Sequence, residues 1–334
     1  MYLDKNNTTY DINNCCENLL FCDLMRIWLE SHKNKLQPNT YETYLGNINN
    51  HIYPYFRDKS LYLKEIKSED IEAYYDFEIS KGLSSNTVIR IHANIHTAFR
   101  FAMKKSLIQA NPMEHVSRPK ASRFMANYYN SEQLEDLFYV SKDSDIYIVI
   151  LLAAYLGLRR SEIIGLRWDS INFKQGIITI KRKAMRLNGT NRDVISDKLK
   201  TDASYRTLPL PPTLLCILKE LKIHQKASCN KPNYYKGDAE YVCLDKLGYR
   251  LRLNSVTGKF RSIILKHDLD YIRFHDLRHS CASLLLKLNY SLKQIQEWLG
   301  HSNFVTTANI YAHIDVKDKE EMAENIDKTL CIKM

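Results

Sequence analysis

The chain has 334 residues, enough for two domains that each bury a core of their own. Its 48 Lys and Arg exceed its 38 Asp and Glu, a formal charge of +10 that favours a polyanionic partner without naming one. The eight cysteines form no C-x-x-C pair, which argues against a disulfide scaffold or a zinc site. The longest apolar run, Ile146 to Leu158, is too short to span a bilayer. The polar N-terminus holds no signal-peptide core, so a soluble, cytoplasmic protein is expected.

After a short N-terminal tail (1–16), residues 17–110 read as a small helical bundle. Leu19, Leu20, Leu24, Trp28 and Leu29 share one face of a first helix. Pro38-Asn39-Thr40 opens a second, with Tyr44, Ile48 and Ile52 inward. Ser68-Glu69-Asp70 starts a third ahead of Ile71, Tyr74, Tyr75 and Ile79. Ser84-Ser85-Asn86-Thr87 starts a fourth, with Ile91, Ile95, Ala98, Phe99 and Ala102 at helical spacing. These stripes are read as core.

Asn111-Pro112 ends the bundle. From 111 to 130 no periodicity is visible, and Arg118, Lys120 and Arg123 outnumber the one acid, Glu114. This basic linker is either simply solvated or the place where the chain crosses a duplex and touches phosphates. Ser131-Glu132-Gln133-Leu134 opens a second domain (131–314), and the 146–158 run is its buried helix. Gly176–Ile180 and Tyr205–Leu210 favour strands, with the turn signal Asn188-Gly189 between them, and the chain after them reads as mostly helical. The fold class is mainly α with a small antiparallel β-sheet. In the tail (315–334), Met322, Ile326 and Leu330 recur every four residues, a stripe that has to be covered.

Three segments carry chemistry. Gly157-Leu158-Arg159-Arg160-Ser161-Glu162 has an arginine and a glutamate one turn apart, which alone would be an ordinary helical ion pair. His275-Asp276-Leu277-Arg278-His279 puts a histidine and an arginine three apart, on one helix face. The His275/His279 spacing also suits two zinc ligands, but no intervening glutamate or nearby cysteine supports that use. Leu299-Gly300-His301 precedes Tyr311 by ten residues, and Tyr311 is one of 22 tyrosines. Arginine is suited to the charge that builds on a phosphodiester under attack, being planar, always charged and able to donate in pairs.

From about Asn18 to about Ile314 the chain resembles the tyrosine recombinase (phage integrase) family, most strongly over Ala153–Ile171 and Arg273–His313. The resemblance implies a two-domain architecture, an N-terminal helical core-DNA-binding domain followed by a catalytic domain. It implies Arg159 and Arg278 as clamps on the scissile phosphate, Glu162 as their support and His275 as a proton donor or acceptor. His301 would hydrogen-bond the phosphate. Tyr311 would be the nucleophile, forming a 3′-phosphotyrosyl link that conserves bond energy, so neither ATP nor a metal is expected. Lys200 would protonate the leaving 5′-oxygen, with Lys198 two residues away as a competitor for that role. Double-stranded DNA with specific recombination sites is the expected partner, joined by a homotetramer assembled on it from monomers and by an accessory DNA-bending or excision factor. The tail would dock either on its own domain or on a neighbouring protomer.

Integration and excision of a phage or conjugative transposon is the leading expectation. Many such integrases carry a further N-terminal domain for arm-type sites, whereas about seventeen residues precede the first helix here. The alternatives are a Xer-like chromosome dimer resolvase, which also has two domains, and a DNA-binding protein without catalysis. All matched site positions hold competent residues, which argues against the last. A type IB topoisomerase shares the chemistry but would lack sequence preference.

Overall fold

The computed structural model describes the backbone of Tyr2–Leu3 and Thr9–Tyr10, together with residues 18–122, 127–186, 193–197 and 205–300. The chain divides into two compact units, 1–125 and 126–334.

In the first unit, β1 (Tyr2–Leu3) pairs antiparallel with β2 (Thr9–Tyr10). Five helices follow: α1 (Phe21–Ser31), α2 (Pro38–Asn47), α3 (Tyr53–Asp58), α4 (Ser68–Ser80) and α5 (Ser85–Lys104). A single π-helical stretch, Ile48–Ile52, joins α2 to α3. Most of the expected stripe residues face inward: Leu24, Trp28 and Leu29 of α1, Ile71, Tyr74 and Tyr75 of α4, and Ile91, Ile95, Phe99 and Ala102 of α5 are all buried, whereas Ile79, near the end of α4, is exposed. Phe21 stacks on Phe99 with ring centroids 5.0 Å apart and meets Phe56 edge-on at 4.7 Å. Each such ring contributes about 1.5–3 kcal/mol on burial. The Ser84 hydroxyl accepts the Thr87 N–H and caps α5. At α4 the cap differs from the expected serine. Lys67 stands at the N-cap, its N–H donating to the Asp70 carboxylate, while the Ser68 hydroxyl donates to the Pro112 carbonyl.

That last bond fastens the start of the basic stretch to the first unit. The Ser117 N–H donates to Glu72 and the Asn86 amide to the Ser122 carbonyl, so residues 111–122 lie against the bundle. At the other end, Tyr129 is buried in the core of the second unit, where its N–H donates to the Ser280 hydroxyl.

The second unit is built around α7 (Tyr147–Leu156), apolar all round and therefore central. Before it comes α6 (Ser131–Ser141), whose N-cap is Asn130 in a reciprocal box with Gln133. After it, α8 (Arg160–Ile164) leads into β3 (Ile171–Asn172) and β4 (Ile177–Ile180). The β4 strand pairs antiparallel with β7 (Arg206–Pro209), Ile178 opposite Leu208. These two expected strands are not the two arms of one hairpin. A separate antiparallel pair, β5 (Lys183–Arg186) and β6 (Asp193–Ser196), stands between them in sequence. Asn188-Gly189 lies outside the described residues. The new hairpin is fastened at both ends: Arg182 pairs with Asp169 and Asp197, and the Asp193 carboxylate accepts the Leu253 N–H. Helices α9 (Pro212–Ser228), α10 (Leu253–Lys266), α11 (Asp276–Lys287) and α12 (Leu292–Leu299) complete the unit. The chain after the strands is mostly helical, as expected, with an irregular stretch between α9 and α10 where Gly248 has φ +89°.

Helix α7 packs on α11 and ends at Gly157, in the left-handed conformation with φ +60°. A Cβ at Gly157 would lie 2.2 Å from Leu299 Cδ2 and 3.4 Å from Cys281 Sγ. Gly157→Ala should therefore lose about 2–4 kcal/mol, the sum of left-handed strain and overpacking in a closed site. Urea unfolding measures it; a loss below about 0.5 kcal/mol would mean that Leu299 yields freely.

Candidate active site

Gly157 turns the chain so that Arg159 becomes the N-cap of α8. From there, the Arg159 N–H donates to Glu162 Oε2 at 3.0 Å and its Nη1 to Oε1 at 2.7 Å. Arg206 Nη2 donates to Oε2 as well, at 3.0 Å. Glu162, only 3% exposed, thus lies between two guanidiniums. Burial by itself would raise its pKa. The charges of Arg206 and Arg159 and the bonds they make outweigh that and hold it below its ordinary value.

The C-terminal end of α12 receives a guanidinium at each of three successive carbonyls. Arg206 Nε donates to Trp298 O at 3.0 Å, Arg278 Nη2 to Leu299 O at 2.7 Å and Arg159 Nη2 to Gly300 O at 3.0 Å. Arg278 Nη1 also donates to the Gly157 carbonyl, 2.5 Å away. Helix geometry leaves such terminal carbonyls without partners, and the helix dipole adds negative potential there. Gly300, with φ +69°, closes the helix in the left-handed conformation. Arg278 is 2% exposed; burial, followed by the charge of Arg159, pushes it down to about 9, and it remains a cation at neutral pH.

His275 occupies the N-cap of α11, one turn before Arg278. Loss of solvent, then the nearby His279 and Arg278, push it down to about 4, so the imidazole is neutral at physiological pH. The His279 ring stands nearly perpendicular to it, centroids 5.7 Å apart, and is lowered too. The neighbouring Asp276 is buried and takes three bonds from Arg273, through its N–H, Nε and Nη2, which pins the first turn of α11.

The structure thus brings together Arg159, Glu162, Arg278 and His275. Lys200, His301, Tyr311 and Arg123 lie outside the described residues, as does the tail with Met322, Ile326 and Leu330. Arg118 and Lys120 are exposed on the first unit; His92 on α5 is lowered by burial first, then by His96 and Arg118. Among the described residues no cluster of three or more His, Cys, Asp or Glu could hold a metal, and no helix is long and apolar enough to cross a membrane. Arg206 is the residue that sequence reasoning passed over. Its signal was alternation: in Arg206-Thr207-Leu208-Pro209 the arginine shares the buried face with Leu208.

A profile of the phage integrase family matches residues 127–318, and one of the phage integrase N-terminal SAM-like domain matches residues 20–78. A XerC-like tyrosine recombinase of Caldanaerobacter subterraneus is 28% identical, covering 91% of this chain and 82% of that protein. The ICEBs1 integrase of Bacillus subtilis is 26% identical, over 93% of this chain and 83% of its own. Among solved structures, the Tn1549 transposon integrase with a circular intermediate DNA superposes with a TM-score of 0.77 at 20% identity, covering 92% of this chain and 99% of that one. A lambda integrase tetramer on a Holliday junction gives 0.66 at 16%, over 88% and 78%. At those identities the likeness is one of fold.

Two measurements check the electrostatics. A carboxylate whose folded pKa is depressed contributes its stability above its ordinary value near 4.5 and loses it as pH falls. Glu162→Gln should therefore cost about 3–5 kcal/mol at pH 7, the scale for breaking a buried ion pair, with a gap to wild type that narrows as the pH drops through that value. A gap independent of pH would contradict the ionised, paired carboxylate. In the DNA-free protein, the His275 imidazole should titrate by NMR with a midpoint close to 4. A midpoint near its ordinary 6.5 would show that burial and its charged neighbours do not govern it.

Proposed function

The chain belongs to the phage integrase family, and from that premise we propose that it is a site-specific DNA recombinase of a mobile element, acting through Tyr311. The observation that carries this reading is the pair of buried Arg278 and half-buried Arg159, both oriented at the end of α12 beside Gly300, with a neutral His275 one turn away. Two guanidiniums fixed by protein acceptors, one buried and one partly open to solvent, are matched to the non-bridging oxygens of one phosphodiester, where negative charge accumulates during attack.

The chemistry balances as follows. Tyr311 Oη bonds to phosphorus while the bond to the 5′-oxygen breaks. The phenol proton passes to a base, for which His275 is the candidate, and Lys200 supplies a proton to the departing oxygen. His301 donates to the phosphate. The 5′-hydroxyl of a partner strand then attacks the phosphotyrosyl ester, frees Tyr311 and joins the new strand pair. One phosphodiester is exchanged for another, so no nucleotide need be hydrolysed. A formal charge of +10 agrees with a DNA partner and predicts binding that weakens as salt rises. Exposed Arg118 and Lys120 are candidate phosphate contacts on the first unit, with Arg123.

Likeness to a lambda integrase tetramer on a Holliday junction supports a tetramer on DNA, with the 315–334 tail as the segment that reaches a neighbour. Work on an element and its chromosome places the protein in the cytoplasm. The similarity to a XerC-like recombinase favours a second reading, dimer resolution on a chromosome with the same chemistry.

The test is a covalent trap. Duplexes spanning the element–chromosome junction, nicked beside the exchange point, are incubated with the protein in EDTA and run on a denaturing gel. Wild type should yield a protein–DNA adduct, and Tyr311→Phe at least about 1000-fold less, since no other group replaces the nucleophile. An adduct that survives Tyr311→Phe refutes the assignment of the tyrosine.

A further inference from the structure

Arg206 is a charged side chain on the core-facing side of β7, its side chain 7% exposed. Such a charge is costly unless its partners are in place. Two of its partners come from separate elements: Glu162 of α8, through Nη2 at 3.0 Å, and the Trp298 carbonyl of α12, through Nε at 3.0 Å. The strand it opens follows the segment that bears Lys200, and the helix end it holds precedes His301. Glu162 in turn fixes Arg159 by two bonds, one from the backbone N–H and one from the guanidinium.

We propose that Arg206 is a positioning residue of this site. It aims Arg159 by way of Glu162, and it ties the strand after Lys200 to the helix terminus before His301. Arg206 commits its Nε and Nη2 to acceptors within the protein. Glu162 Oε2 is the shared point: it accepts the Arg159 N–H and Arg206 Nη2 together. Without Arg206, that oxygen loses its charged donor and the carboxylate loses one of the two cations that keep it ionised. Arg159 would then be steered by a weaker and protonatable partner.

The inference rests on the strand-exchange reading above, which adduct formation by wild type tests separately. Arg206→Gln and Arg206→Lys in the full chain are compared with wild type on the nicked junction duplex. DNA affinity should stay within about twofold, while single-turnover cleavage by Arg206→Gln falls about 10- to 100-fold, the loss expected for one charge-assisted bond acting through a neighbour. The acid limb of its pH–rate profile should move to higher pH, because Glu162 becomes easier to protonate. Arg206→Lys keeps the charge and should restore the acid limb. Its rate should return only in part, since an ammonium cannot span both acceptors in one plane.

Wild-type rate and profile in both variants would overturn the proposal. So would a rate loss that merely follows a lost folded fraction, with the profile unmoved. If Arg206→Gln does not fold, Arg206→Lys carries the test through its rate deficit at unchanged affinity. Independently of DNA, the Glu162 carboxyl titration, read by carbon NMR, should shift upward in Arg206→Gln relative to wild type. An unshifted midpoint would also overturn it.

Discussion

Helix α12 ends in carbonyls that its own hydrogen-bond ladder cannot use, and three guanidiniums have taken them over. Everything distinctive about the site depends on that exchange. Burying a guanidinium costs several kcal/mol, and a hydrogen bond to a charged group returns about 1.5–3 kcal/mol, so buried Arg206 and Arg278 each need two or more good acceptors, and half-buried Arg159 is held in the same way. Arg278 has the Leu299 and Gly157 carbonyls; Arg159 has Gly300 and Glu162; Arg206 has Trp298 and Glu162. Neutral dipoles and one carboxylate therefore hold three cations. The arrangement is stable, yet it retains a surplus of positive potential, which is what a phosphate-handling site requires.

Parts of this were legible in the sequence because they are local. Arg159 and Glu162 lie three apart, as do His275 and Arg278, and in the structure the first of each pair caps the helix whose first turn carries the second. The cores were legible for the same reason: the α1 and α5 stripes and the wholly apolar α7 carry their burial in their periodicity. The family resemblance organised these fragments into one site and named the residues, which spacing alone could not have done.

What escaped reading was non-local or weakly patterned. Arg206 meets Glu162 across 44 positions and Trp298 across 92, and no window of sequence displays such a pairing. The β5–β6 hairpin was hidden because Lys183-Ala184-Met185-Arg186 buries only Ala184 fully, so charge masked the alternation. At α4, Asp70 drew Lys67 into the cap and left Ser68 to bond elsewhere, a choice settled by the Pro112 carbonyl 44 positions away. A serine before two acids is a sound helix signal, but the exact cap depends on which acceptor folding brings near.

The clasp at the end of α12 also orders events in time. Arg159 and its acceptor at Gly300 are 141 positions apart in the chain. Loop closure over such spans comes late, after local helices have formed. On a ribosome, Arg159 and Glu162 emerge and can pair at once, while the carbonyls that aim the arginines are still unmade. A partly synthesised chain would thus carry the cations without their orientation.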